Sequence, residues 1–247
     1  MKPIITLFLL FGCFLAHTQT LESFERYFTW NPDSTLVYEQ ASKDSKLLDK
    51  LAYGTEVEII ENISKESILY LGKNNVYEVK GLWVKIKIGS LEGYSFNGEV
   101  INFPPFKVEG SHYTRDKEHL QSYFTEELKS YERIDSTKIQ GGTYWKTYVD
   151  SLAYPDGSFA KIVGSDGCFN RTYHFKDKTL AQVYFIMKTH FYNSNVWPSP
   201  ASDFYPKLTV IHGDKMFFYS NTLESIEGIF IDFNDPKLIF FGSSDCT

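Results

Sequence analysis

Residues 81–96 read Gly-Leu-Trp-Val-Lys-Ile-Lys-Ile-Gly-Ser-Leu-Glu-Gly-Tyr-Ser-Phe, two short runs joined by a Gly-Ser turn. Alternation of apolar and polar side chains indicates a β-strand, because successive residues of a strand point to opposite faces. The first run places Trp83, Lys85 and Lys87 on one face and the aliphatic residues between them on the other. We therefore expect two strands here, with Trp83 on the outer face or at the rim of a barrel.

Three more runs of this kind lie within residues 33–103. They are Thr35–Tyr38, residues 56–60 after a Gly-Thr turn, and residues 100–101 after Asn97-Gly98. Turn residues bound each run, and no helical periodicity interrupts them. Five strands in so short a stretch predict a small β-barrel, since closure removes exposed sheet edges.

This stretch resembles the bacterial SH3-like domain family over about 70 of the 247 residues, which places an SH3-like barrel at residues 30–103. The usual Asn-Val-Arg of the family's first strand is replaced by Val37-Tyr38-Glu39, and an insertion separates Ile60 from Gly81. The matching pieces, in chain order, are Leu36-Val37-Tyr38, residues 42–45, Lys46-Leu47-Leu48, Leu51-Ala-Tyr53-Gly54-Thr55, Val57-Glu-Ile-Ile60, Gly81-Leu-Trp83-Val-Lys-Ile86 and Gly93-Tyr94-Ser95-Phe96.

The resemblance implies a non-catalytic binding module outside the cytoplasm, because relatives often contact cell-wall peptides or glycans. Aromatic side chains on strands can bind such ligands, offering a rigid face at low cost in conformational entropy. Tyr38, Trp83 and Tyr94 are accordingly the expected ligand-binding residues. For the two tyrosines, simple packing within the barrel is the alternative.

A second unit is expected after the Phe-Pro-Pro boundary at residues 103–105, because two prolines cannot join a β-ladder. Apolar residues spaced as Leu120, Phe124, Leu128 and Tyr131 predict an amphipathic helix over residues 117–134. Thr179 and Gln182 have the spacing of a capping box and predict a second helix over residues 179–191. Strands are predicted at residues 144–149, 159–163, 208–211, 215–219, 228–233 and 238–241, with Pro155-Asp156-Gly157 as a hairpin turn.

Residues 106–247 therefore read as an α+β domain with an antiparallel sheet, and the whole chain as mainly β or α+β. The aromatic content of 17% favours the same class, since aromatic residues are enriched in strands. A formal net charge of −6 with no basic block makes nucleic acid and anionic membrane surfaces poor partners.

The N-terminus has the pattern of a signal peptide at residues 1–18. Lys2 precedes an apolar stretch over residues 4–16, which is too short for a transmembrane span. Export to the periplasm or the extracellular space follows. The alternative is a lipid anchor on Cys13, whose preceding residues Leu10-Phe11-Gly12 approximate a lipoprotein signal.

The two remaining cysteines, Cys168 and Cys246, are expected to form a disulfide in an oxidising compartment, with two free thiols as the alternative. Cys168 with His212 is the one pair that could act as a cysteine nucleophile and its base. No His-Xaa-Xaa-His, Cys-Xaa-Xaa-Cys or glycine-rich phosphate loop occurs, so neither a metal nor a cofactor is expected.

Together these features predict an exported, non-enzymatic protein whose SH3-like module recognises a cell-wall peptide, a glycan or an envelope protein. The alternative function is a divergent secreted cysteine hydrolase that acts on the cell wall through Cys168 and His212.

Overall fold

The structure is a computed structural model, and it describes residues 26–71, 77–102, 105, 130–140, 143–154, 156–165, 168–193, 207–219 and 226–246. Within these ranges the chain forms two antiparallel sheets, one α-helix and one short 3₁₀ helix. The mainly β class expected from composition and periodicity is thereby confirmed. The predicted signal peptide, and Cys13 with it, lies outside the described residues.

The first half of the chain forms a seven-stranded sheet that curls into a half-barrel. Across it the strands run in the order β3-β2-β6-β5-β4-β1-β7. The predicted strands are all present, and β1 and β3 are additional. The strands are β1 (Tyr27–Thr29), β2 (Thr35–Tyr38), β3 (Leu47–Leu51), β4 (Glu56–Leu71), β5 (Tyr77–Ile88), β6 (Leu91–Phe96) and β7 (Val100–Ile101), and the 3₁₀ helix Asn97–Glu99 joins the last two.

The second half forms an eight-stranded sheet in the order β12-β13-β14-β15-β11-β10-β9-β8. The Asp156-Gly157 turn joins β9 to β10, as predicted, and the positive φ of Gly157 (+89°) suits a glycine. The elements are β8 (Ser130–Gln140), β9 (Thr143–Ala153), β10 (Phe159–Ser165), β11 (Cys168–Lys176), α1 (Leu180–Asn193), β12 (Lys207–His212), β13 (Lys215–Tyr219), β14 (Ile226–Asp232) and β15 (Leu238–Cys246).

The prediction of an amphipathic helix over residues 117–134 is wrong at the C-terminal end of that range. Residues 130–134 open strand β8, whose pairing with β9 runs from Ser130↔Ala153 to Gln140↔Thr143. Residues 117–129 lie outside the described residues. A ladder with a neighbouring strand outweighs local helical periodicity, because periodicity reports only which residues share a face.

Helix α1 confirms the other helical prediction, including its capping box. The backbone N–H of Thr179 donates to Gln182 Oε1 at 3.0 Å, and the N–H of Gln182 donates to Thr179 Oγ1 at 3.3 Å. These two bonds satisfy N–H groups that the first turn of a helix leaves without helical partners.

The helix lies between the two sheets, and its side chains are buried around most of its circumference. Its buried residues join a single cluster that also contains side chains from both sheets. From the first sheet come Trp30, Leu71, Val79, Phe96 and Ile101, and from the second Leu152, Ile162, Tyr173, Phe175, Phe218, Ile231 and Phe241. A second, smaller cluster fills the half-barrel itself. The two halves therefore share one core through α1.

Most of the insertion between Ile60 and Gly81 extends strands β4 and β5 into a long hairpin. Leu71 and Val79, near its tip, are each 3% exposed and belong to the shared core. The pKa of Tyr77 is raised by burial and by the charge of Asp214, in the turn between β12 and β13. The hairpin therefore reaches across to the second sheet.

Candidate functional site

The three aromatic residues expected to bind a ligand lie together on one face of the first sheet. Tyr38 in β2 is the Cα partner of Tyr94 in β6. The rings of Tyr38 and Trp83 meet edge-on, with centroids 5.7 Å apart. Adjacent strands bring these residues together although 56 positions separate Tyr38 from Tyr94 in the sequence.

The predicted place of Trp83 on the outer face or at the rim implies an exposed side chain. In the structure Trp83 does not face solvent. Its side chain is only 3% exposed, whereas Tyr38 and Tyr94 are half-buried. Trp83 shares its face with Lys85, the cross-strand partner of Tyr94, so the alternation was predicted correctly. The Tyr38 ring packs edge-on against the buried indole of Trp83.

Charged side chains border the Tyr94 side of this surface and are paired with each other. The Lys85 ammonium lies 3.0 Å from the Glu92 carboxylate. This contact raises the pKa of Lys85 and lowers the pKa of Glu92. Glu92 is exposed and Lys85 is half-buried at the surface, so the pair contributes little to stability. A polar ligand could exchange it for new contacts at low cost.

A half-buried carboxyl, that of Glu99, lies within electrostatic range of Tyr38, and the sequence contains no signal for it. Asn31 Nδ2 donates to Glu99 Oε1 at 3.2 Å. Burial raises the pKa of Glu99 to about 7, against the opposing influence of its hydrogen bonds and of the positive charges of Lys188 and Lys43. The charge of Glu99 in turn adds to burial in raising the pKa of Tyr38. The carboxyl and the phenol are therefore within electrostatic range of each other.

A hydrogen-bonded cluster links this region to helix α1. Lys188 Nζ lies 2.5 Å from Asp33 Oδ2 and 3.5 Å from Asn31 Oδ1. At the next residue of the helix, the Thr189 hydroxyl donates to the backbone carbonyl of Trp30 at 2.7 Å. The Tyr38 surface and the contact between helix and half-barrel are thus neighbours.

The second sheet brings Cys168 and Cys246 opposite each other, as the predicted disulfide requires. They are Cα partners at the ends of β11 and β15. Directly paired antiparallel residues have Cα atoms about 4.5–5.5 Å apart, within the range of about 4.4–6.8 Å found for disulfides. The disulfide itself stays a prediction.

We expect thiol counting to test it directly. Without reductant, the folded protein should release no reactive thiol from Cys168 or Cys246, and reduction should expose both. Peptide mapping by mass spectrometry identifies the pair. Alkylation of Cys168 in the unreduced protein would contradict the prediction.

The structure does not bring Cys168 and His212 together. The strand register aligns His212 with His174 across four strand spacings, and Cys168 lies six residues further along β11. With strands about 4.8 Å apart and a rise of about 3.3 Å per residue, they are separated by roughly 20 Å in each direction. A thiol and its base need hydrogen-bond contact, so this pair cannot act as a dyad in this arrangement.

Within the described ranges, no group of three or more His, Cys, Asp or Glu side chains could hold a metal ion. No helix in the described part of the chain is long and apolar enough to cross a membrane. Comparison with protein families, with curated proteins and with solved structures finds no match to this chain.

Proposed function

We propose that this chain is an exported binding protein that holds a cell-envelope ligand against the Tyr38 surface, defined as Tyr38, Tyr94 and the underlying Trp83. Its main support is the arrangement of Tyr38, a half-buried ring held edge-on by the buried indole of Trp83. A ring fixed in this way loses little conformational entropy on binding.

The chemistry around the ring favours a ligand with both apolar and polar groups. Tyr38 and Tyr94 supply phenol hydroxyls. The paired Lys85 and Glu92 supply surface charges, and Glu99 supplies a carboxyl close to half ionisation at neutral pH. A cell-wall peptide offers methyl groups, amides and charged termini in one molecule and matches this set better than a bare glycan does. An envelope protein with such a segment is the other form the ligand could take.

Binding to purified peptidoglycan is the first test. We expect the wild-type protein to co-sediment with it, and Tyr38→Ala and Tyr94→Ala each to weaken the binding about tenfold, as for a well-packed aromatic contact. Phe217→Ala, on the second sheet, is the matched control and should bind like the wild type. If both tyrosine variants bind peptidoglycan as tightly as the control, the Tyr38 surface is not the binding site.

A further inference from the structure

The second sheet carries a continuous row of aromatic rings on the face that points away from helix α1. The members of this aromatic row come from five neighbouring strands and are all half-buried. Consecutive rings contact each other, with centroids 4.0, 4.4, 5.9 and 6.4 Å apart. The row consists of Phe159, His174, Phe240, Phe230 and Phe217, in that order from β10 to β13.

The register explains why the row is unbroken. Phe159, His174 and Phe240 are direct cross-strand partners, while Phe230 is paired with Gly242. Because Gly242 has no side chain, the Phe230 ring can lie over it and reach Phe240. A Cβ added at Gly242 would stand 2.9 Å from Phe230 Cζ and 2.8 Å from the Arg171 carbonyl oxygen.

The row continues to Val210 on β12, which is 49% exposed and is the cross-strand partner of Phe217. Six strands separated by about 4.8 Å give it a length of about 24 Å. A contiguous, partly exposed apolar strip of this kind is typical of an interaction surface.

Three of the five rings are stacked on one another, so their contacting faces are not available to a ligand. Phe159 and Phe240 are stacked on opposite faces of the His174 imidazole, at interplanar angles of 12° and 25°. With its faces covered, the imidazole cannot stack on a sugar ring. The exposed parts of the rings suit aliphatic and aromatic side chains of a protein instead.

The described strand side chains of this face carry a net charge opposite in sign to the net charge of the whole chain. Three lysines, Lys161, Lys176 and Lys215, alternate with the aromatic residues on β10, β11 and β13. Among the described strand side chains of this face, Asp232 is the only acid, and it is paired with Lys215 at 3.0 Å. The described strand side chains of this face therefore carry a net positive charge, whereas the whole chain carries a net charge of −6.

We propose that the aromatic row is a docking surface for an acidic amphipathic segment of a partner protein. Apolar side chains of that segment cover the rings, and its carboxylates face Lys161 and Lys176. A second copy of this chain does not fit, because a symmetric contact would set these lysines against themselves. A helix of about 16 residues spans the row at about 1.5 Å per residue.

Two synthetic helical peptides of about 16 residues, identical in their leucine stripe, test this assignment. One carries glutamate and the other lysine at every remaining position. We expect the glutamate peptide to bind at least tenfold more tightly by fluorescence anisotropy, and more weakly as salt is added. Phe217→Ser with Phe230→Ser, and Lys161→Glu with Lys176→Glu, should each reduce its affinity at least tenfold.

Tyr38→Ala keeps this test separate from the proposed peptidoglycan binding, because it should leave the affinity for the peptide unchanged. Circular dichroism confirms that each variant is folded. Failure of the glutamate peptide to bind, equal affinities for the two peptides, or wild-type affinity in the Phe217→Ser, Phe230→Ser variant would each overturn the proposal. Concentration-dependent dimerisation abolished by the same variant would also overturn it, by assigning the face to a second copy.

Discussion

Replacing Trp30 with alanine is expected to lower the free energy of unfolding by about 3–5 kcal/mol, the cost of removing a large aromatic side chain from a packed core. Trp30 is 0% exposed, and its ring meets Tyr53 edge-on at 5.7 Å. It belongs to the buried cluster that contains side chains of both sheets and of α1. Because the cavity would open between the two halves, we expect both sheets to lose stability together.

Urea unfolding, monitored with two local probes, measures the loss of stability in each sheet. Hydrogen exchange of amides in β5 reports on the first sheet, and exchange in β11 reports on the second. Both should shift by the same free energy in Trp30→Ala. Tyr70→Ala, at an aromatic side chain that is 45% exposed, is the control and should stay within about 0.5 kcal/mol of the wild type. Unchanged exchange in β11 of Trp30→Ala would mean that the halves are independent domains.

The sequence allowed most strands and the capped helix to be predicted, because the signals that specify them are local. Alternation around Trp83 gave the correct faces of β5, and the Thr179/Gln182 spacing gave the start of α1. Strand β3, Leu-Leu-Asp-Lys-Leu, has no β-branched residue and no alternation, so nothing local distinguishes it from a loop. Its conformation depends on pairing with β2.

Features that depend on the order of the strands within the sheets could not be predicted from the sequence. Trp83 was assigned to the correct face of β5. Its burial, however, depends on the side chains that neighbouring strands place against it, such as the Tyr38 ring. Glu99 is a single acid in a turn, and only the fold places Asn31, Lys188 and Tyr38 around it. The aromatic row likewise combines residues from 159 to 240 that become neighbours only when β10 to β15 are placed side by side. A single sequence specifies periodicity well, whereas long-range pairing is decided by the whole chain.

Two half-buried titratable groups are expected to give the stability of this protein opposing dependences on pH. Burial raises the pKa of Glu99 from 4.5 to about 7. Between these values the folded protein holds a proton that the unfolded chain has lost, so stability falls as pH rises. At about 1.4 kcal/mol per pKa unit, the loss approaches about 3 kcal/mol above pH 7. The Glu99→Gln variant should not show this loss. Its free energy of unfolding relative to the wild type should therefore rise between about pH 4.5 and 7.

His174 acts in the opposite direction. Burial between Phe159 and Phe240, together with the charge of Lys161, lowers its pKa from 6.5 to about 4. Its Nδ1 atom is buried without a hydrogen-bond partner among the described residues, so the charge of Asp232 and the 3.0 Å contact between His174 Nε2 and Thr172 Oγ1 compensate an imidazolium only in part. The unfolded chain binds a proton that the folded protein lacks, and stability falls as pH drops from 6.5 towards 4, again by about 3 kcal/mol. His174→Phe should therefore gain stability relative to the wild type as the pH is lowered.

Free energies of unfolding measured in urea from pH 4 to pH 8 for the wild type and both variants distinguish these contributions. Because the two windows overlap between about pH 4.5 and 6.5, their slopes offset each other in the wild type and become visible when one group is removed. His212→Gln, at an exposed position, is the control for removing a histidine. Curves for Glu99→Gln and His174→Phe that run parallel to the wild-type curve would show that neither carboxyl nor imidazole is as deeply desolvated as the packing of these two sites requires.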